Sequence, residues 1–130
     1  MFALVGSKWN GVVRCAGMML WRLGLQCESH SRPCGSFLAG AARATHMAWN
    51  YKDILQVVLS SPAVKLAFAG HDHLGGYANL DGKHFVTLEA MLEAPSGSNA
   101  YGVVKVLQDR LVIEGMGTVT SRELLLDPLR

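Results

Sequence analysis

His71 and His73 are the side chains in this sequence best placed to do chemistry. They stand two residues apart in Ala69-Gly70-His71-Asp72-His73, directly after the apolar run from Val64 to Ala69. Residues i and i+2 project to the same side of an extended backbone. Two imidazoles so spaced at a strand end can therefore converge on one centre or on two adjacent ones. Neutral imidazole suits zinc, manganese, iron and other first-row ions. One pair is not a complete ligand set, because a catalytic metal needs about three protein ligands and an open position. A two-metal hydrolase needs more, including a carboxylate bridging ions roughly 3.5 to 4 Å apart. The missing ligands must come from elsewhere. A hydrogen-bonded turn is the competing reading of the same pair. Gly70 supplies the freedom for a sharp bend, and Leu74-Gly75-Gly76-Tyr77 reads as a slim loop that an anionic group can approach closely.

The flanking sequence must hold that loop. Asn50 with Asp53 three residues on resembles a capping box, and Tyr51, Ile54, Leu55 and Val58 follow the spacing of an apolar helical stripe, so a helix is predicted over about 51 to 60. Ser60-Ser61-Pro62 ends it, and 64 to 69 has the composition of a short buried strand. Asp81-Gly82 favours a tight hairpin between 77 to 80 and 84 to 89. A second hairpin is expected from 101 to 107 and 110 to 115, joined at Gln108-Asp109 and preceded by the loop 94 to 99. Apolar residues on both faces of these strands suggest sheets covered on each side. The expected fold class is α/β, a layered α/β sandwich with a mixed sheet and two C-terminal β-hairpins.

Of the 130 residues half are apolar, enough for a core and against intrinsic disorder, and a formal net charge of +2 argues against a nucleic-acid surface. Charge is uneven along the chain. Residues 1 to 45 carry Lys8, Arg14, Arg22, Arg32 and Arg43 against the single Glu28, whereas 46 to 130 is net acidic. Two regions follow: 1 to 45, an atypical basic segment, disordered or transit-like, and 46 to 130, which carries the legible fold. Cys15, Cys27 and Cys34 all lie in the first region, and an odd number argues against a secreted disulfide scaffold. The apolar run 12 to 25 is broken by Arg14 and Arg22 and is too short to span a bilayer, so no membrane partner is expected. The cytoplasm is the expected compartment, with organelle targeting left open.

Other motifs carry less. Cys27, His30 and Cys34, with Cys15, have spacing compatible with a zinc site but lack regular paired turns; scattered thiols explain them better. The glycines from Gly35 to Gly40 are followed by Ala41-Ala42, where a phosphate loop needs Lys and Ser or Thr. No Gly-x-Ser-x-Gly elbow supports serine-hydrolase chemistry. Asp72 is either an orienting group or a turn former, Glu89 and Glu93 either face a cleft or are solvated, and Tyr77 either stacks on a base or packs. His46 and His84 have no partner in sequence and are assigned no role.

Ala69-Gly70-His71-Asp72-His73 resembles the Gly-His-x-His metal motif of the calcineurin-like metallophosphoesterases. The wider stretch, Ala48-Trp49-Asn50-Tyr51, then Phe68 to Tyr77, Thr87 to Pro95 and Ala100-Tyr101-Gly102, is similar to the C-terminal part of the manganese-dependent ADP-ribose/CDP-alcohol diphosphatases, over roughly residues 41 to 130. The resemblance implies that His71 and His73 each ligate one ion of a two-metal centre. Manganese is first among the implied ions, with magnesium, zinc or iron left open. It also implies cleavage of the diphosphate in ADP-ribose and in CDP-alcohols such as CDP-choline, a nucleotide diphosphate being the partner molecule. The family's upstream Asp-x-His, Gly-Asp and Gly-Asn-His motifs do not occur in this sequence. His30 lies about where a further lone histidine of the family would fall, in surroundings that match poorly. The chain is therefore expected to be a truncated form, inactive alone. The alternative is a non-catalytic fragment that binds metal weakly or associates through exposed sheet edges. Oligomeric state is not legible.

Overall fold

A computed structural model describes residues 40–126 in full and the backbone of two strands before them, 3–6 and 11–15. The apolar stripe predicted from 51 to 60 forms helix α1 (Tyr51–Ser60). Asn50 takes the expected N-cap position, but its side chain does not act as expected. Asn50 makes no side-chain cap, its φ and ψ of −104° and 29° leaving the carboxamide out of position. Its backbone carbonyl instead accepts from Asp53 at 3.1 Å and from Ile54 at 3.3 Å.

Eight strands form two sheets: β1 (Ala3–Gly6), β2 (Gly11–Cys15), β3 (Val64–Ala69), β4 (Gly76–Leu80), β5 (Lys83–Thr87), β6 (Tyr101–Val106), β7 (Arg110–Met116) and β8 (Arg122–Leu125). The first sheet has the order β1-β3-β5-β4 and the second β2-β6-β7-β8. β3 and β5 run parallel, while β1 and β4 flank them antiparallel, giving the expected mixed sheet. The second sheet is antiparallel throughout. Both predicted hairpins form. Asp81 and Gly82 carry φ of 51° and 71°, the paired left-handed conformation of the two-residue turn that follows the right-handed twist of its strands.

Strand periodicity sorts the core into two layers. Leu66, Phe68 and Val86 pack against Val104, Val106, Leu111, Ile113 and Leu124 of the second sheet. Ala67 and Phe85, one position out of phase, pack with Val58, Tyr51, Ile54, Leu55 and Leu59 of α1. The order is helix, mixed sheet, antiparallel sheet. Coverage of both sheet faces, expected for all the strands, holds for β5, where every residue is buried. It fails for β6 and β7, where buried residues alternate with more accessible ones. On that outer face Lys105 pairs with Glu114, and Arg110 bridges Asp109 and Glu123.

His84 closes the seam between the sheets. Its Nε2 donates to the Leu125 carbonyl at 2.8 Å, which leaves Nδ1 to accept from Tyr77 Oη at 3.0 Å and Asn79 Nδ2 at 3.2 Å. The Tyr77 ring stacks on His84 with centroids 6.0 Å apart, and the Arg122 guanidinium lies 5.4 Å from its centroid. Tyr77 thus packs on His84 and Arg122 while remaining 37% exposed. Lys83 is buried below the helix end, donating Nζ to the carbonyls of Ser61 and Val64 at 2.5 and 2.9 Å. Burial pushes its pKa below the usual lysine value.

Candidate metal-binding loop

β3 and β5 are parallel, so the segments leaving their carboxyl ends emerge together, where open α/β sheets place their ligand sites. The first segment carries His71 and His73, the second Glu89 and Glu93. Backbone bonds stitch them: Leu88 N–H donates to the Ala69 carbonyl at 3.1 Å and Ala90 N–H to the His73 carbonyl at 3.2 Å.

Glu93 is thereby brought to His73, with Oε1 2.8 Å from Nδ1. A carboxylate in that position accepts a hydrogen bond from Nδ1–H, holding the proton on Nδ1 and leaving the Nε2 lone pair for a ligand, the arrangement that orients metal-binding histidines in many proteins. Both side chains are about half exposed, at 43% and 56%. Glu89 turns away, accepting from Thr120 Oγ1 at 2.6 Å.

The sharp bend expected at Gly70 falls one residue later. His71 itself has φ 81°, whereas Gly70 lies outside the left-handed region and a Cβ there would meet nothing within 4 Å. A non-glycine residue in that region costs about 1 kcal/mol, so the surrounding contacts must hold it. Asp72 supplies them. Only 1% exposed, its carboxylate accepts the Arg43 backbone N–H at 2.8 Å, Arg43 Nε at 3.1 Å from both oxygens, and Nη2 at 2.7 Å. It also accepts from Leu74 N–H at 3.4 Å, within its own turn. The Arg43 hydrogen bond holds the Asp72 carboxyl well below the ordinary carboxylate range against the opposing effect of burial. Asp72 is thus a turn former and also a clamp between the loop and residue 43.

Glycines 75 and 76 serve packing, not a gap for an anion. A Cβ on Gly76 would lie 2.4 Å from the Ala41 carbonyl oxygen, and one on Gly75, at φ 69°, would lie 2.8 Å from the Glu89 side chain. The loop is pressed between residue 41 and the β5 exit.

His46, which has no partner in sequence, packs against His71 with ring centroids 5.2 Å apart and planes tilted by 48°. Its Nδ1 lies 2.9 Å from Thr45 Oγ1. No local signal marks it, since 25 residues separate the two rings. Among the described residues, no group of three or more His, Cys, Asp or Glu side chains gathers to hold a metal. The donors present fit part of a divalent-cation centre: imidazoles, one backed by a carboxylate. Cys27, His30, Cys34 and the glycine run from 35 to 39 lie outside the described residues, as does the zinc reading built on them. No described helix is long and apolar enough to cross a membrane.

No family model matches the chain. Among curated relatives, the rice manganese-dependent ADP-ribose/CDP-alcohol diphosphatase is 38% identical over 90 residues, 68% of this chain and 28% of that protein. The bovine protein of the same name is 41% identical over 83 residues, 63% of this chain and 25% of that protein. Among solved structures, a dimetal phosphatase from Danio rerio superposes with a TM-score of 0.67 at 32% identity, covering 72% of this chain and 30% of that one. The chain spans between a quarter and a third of the length of these relatives. Over the stretch that aligns, it belongs to the manganese-dependent ADP-ribose/CDP-alcohol diphosphatases, as a part of that longer family sequence with the fold of a dimetal phosphatase.

Proposed function

We propose that this chain carries the histidine portion of a metal-dependent phosphohydrolase that cleaves the diphosphate of ADP-ribose and of CDP-alcohols such as CDP-choline. His71 and His73 would each hold one of two divalent ions, manganese first among them. When bound, such ions neutralise charge on the phosphoryl oxygens and lower the pKa of the attacking water. The chain's own residues position the ligands. Glu93 fixes His73 through Nδ1, Asp72 and Arg43 fix the turn that presents His71, and the close fit of Gly76 against Ala41 sets the depth of the loop. The ligands that complete the centre are not among the described residues.

One observation carries this reading: two surface imidazoles stand at the carboxyl end of a parallel strand pair, one with a carboxylate behind it, inside the stretch similar to named diphosphatases. That similarity supports the enzyme reading over the non-catalytic fragment. The reading is tested by a chimera in which residues 41 to 130 replace the matching segment of the rice enzyme. Manganese-dependent conversion of ADP-ribose to AMP and ribose 5-phosphate is expected from the chimera and not from the chain alone. His71→Ala and His73→Ala should each lower its kcat by about a hundredfold or more, the scale on which loss of transition-state charge stabilisation acts. Chimeras carrying either substitution at undiminished rate would refute the assignment.

A further inference from the structure

We infer that residues 3 to 15 form a detachable strap, and that the edges of β3 and β6 beneath it make one acceptor surface for an added extended strand, occupied in cis by the strap. β3 requires such a cover. Leu66, Ala67, Phe68 and Ala69 are all buried, as in an interior strand, and β3 pairs in parallel with β5 on one side. Without β1 its other edge would present a row of unpaired backbone groups along an apolar run, a template for pairing with another chain. β1 fills that edge antiparallel, with Ala3, Leu4 and Val5 opposite Phe68, Ala67 and Leu66. β2 fills the edge of β6 in the same antiparallel sense, from Gly11 opposite Val106 to Cys15 opposite Gly102.

The two covered edges lie on the same side of the paired sheets. β8 meets β4 and β5 through His84 with Leu125 and Tyr77 with Arg122, so the stacked orders β4-β5-β3 and β8-β7-β6 run in one direction and end together. Only residues 7 to 10 separate β1 from β2 in sequence, enough to cross the roughly 10 Å between packed sheets. One continuous segment therefore clasps both sheets. The β8 side is locked by the side-chain bonds of His84, whereas the strap is held at its ladders by a four-residue β1, with a break in register between Val5 and Gly6, and a five-residue β2. Short terminal segments of this kind open at a lower free energy than the strands they cover. Both strands precede the stretch from about residue 41 that is similar to the diphosphatases, so the inference stands or falls apart from that reading.

Amide hydrogen exchange on the full chain is the first test. The amides of β1 and β2, with the alternate amides of β3 and β6 that face them, should exchange through one common opening, faster than those of β5 and β7 by about tenfold or more. Competition is the second. A fluorescent peptide of residues 1 to 15 should bind the full chain weakly, because the tethered strap competes at high effective concentration. Leu4→Pro, Val5→Pro, Val12→Pro and Val13→Pro, introduced together, remove a ladder donor from each strand whichever of two neighbouring amides faces its partner. The peptide should bind that variant more tightly by about tenfold or more, the tethered competitor being gone. Retained protection of β5 and β7 shows the variant to be folded, and if it is lost the exchange pattern of the unaltered chain decides alone. The inference is overturned if β1 and β2 exchange as fast as the free peptide, or only together with β5 and β7 in one global step. It is equally overturned if the peptide binds the unaltered chain and the folded variant alike, or binds neither.

Discussion

Two turns in the first sheet place a non-glycine residue in the left-handed region, and they are held by different means. At the β4–β5 hairpin, Asp81 at φ 51° precedes Gly82 at φ 71°, and both the residue types and the two-residue span suit the turn unaided. At the candidate metal-binding loop, His71 at φ 81° has no such local justification. It is held by Arg43 on Asp72, by the Ala41 carbonyl against Gly76, and by bonds from Leu88 and Ala90. The first turn is a consequence of its own sequence. The second is assembled from distant parts, and it carries the imidazoles. Strained backbone maintained by surrounding contacts is a mark of functional sites.

Substitutions can break this comparison in order of size. Gly76→Ala should cost about 3 kcal/mol, because its Cβ would be driven into the rigid Ala41 backbone, whereas Gly82→Ala should cost about 1 kcal/mol, the price of a left-handed alanine alone. Chemical denaturation of both variants measures the difference, and equal losses would show the two turns to be equivalent. Asp72→Ala comes next, at about 2 kcal/mol, since it leaves the Arg43 and Leu74 backbone donors without their acceptor. The same carboxylate gives the loop an acid limit. Its folded pKa lies below the ordinary 3.8, so its stabilisation is fully present above that value and is lost as pH falls toward the depressed one. Asp72→Asn should flatten the acid limb of a stability–pH curve, and an unchanged limb would assign it to other carboxylates.

Smaller effects sharpen the contrast. His71→Gly should raise stability by up to about 1 kcal/mol by relieving the left-handed strain, while Asp81→Gly should gain less because aspartate tolerates that region. Thermal melts of the two variants decide it. Glu93→Gln should leave stability within about 0.5 kcal/mol, being an exposed change, yet weaken cation binding at His73 by about tenfold. Calorimetric titration with manganese checks the second half of that expectation.

Much of this fold was legible before the structure because its signals are local. The apolar stripe from Tyr51 to Val58, the run from Val64 to Ala69 and the Asp81-Gly82 dipeptide each determine an element within a few residues, and all appear as α1, β3 and the β4–β5 turn. Asn50 marks the helix start as its residue type suggests, yet the dihedral angles that the incoming chain imposes keep its side chain from capping. Residue type alone points to Gly70 for the bend, because glycine is the usual left-handed residue, yet the tertiary clamp forces that role on His71. The support of the histidines is long-range: Arg43 is 29 residues from Asp72, and Glu93 is 20 from His73. Periodicity cannot register contacts of that kind. The same limit hid His46, whose only mark is the ring it meets in the folded chain.

The central claim is that His71 and His73 both face a divalent cation. Paramagnetic broadening of the histidine ring protons by substoichiometric manganese, measured on the full chain, tests it most directly because it registers even weak, partial sites. Broadening of His71 and His73 ahead of His84, which is committed to Leu125, Tyr77 and Asn79, is the predicted result. Broadening that spares both of these rings, or that reaches His84 at the same manganese concentration, would contradict it.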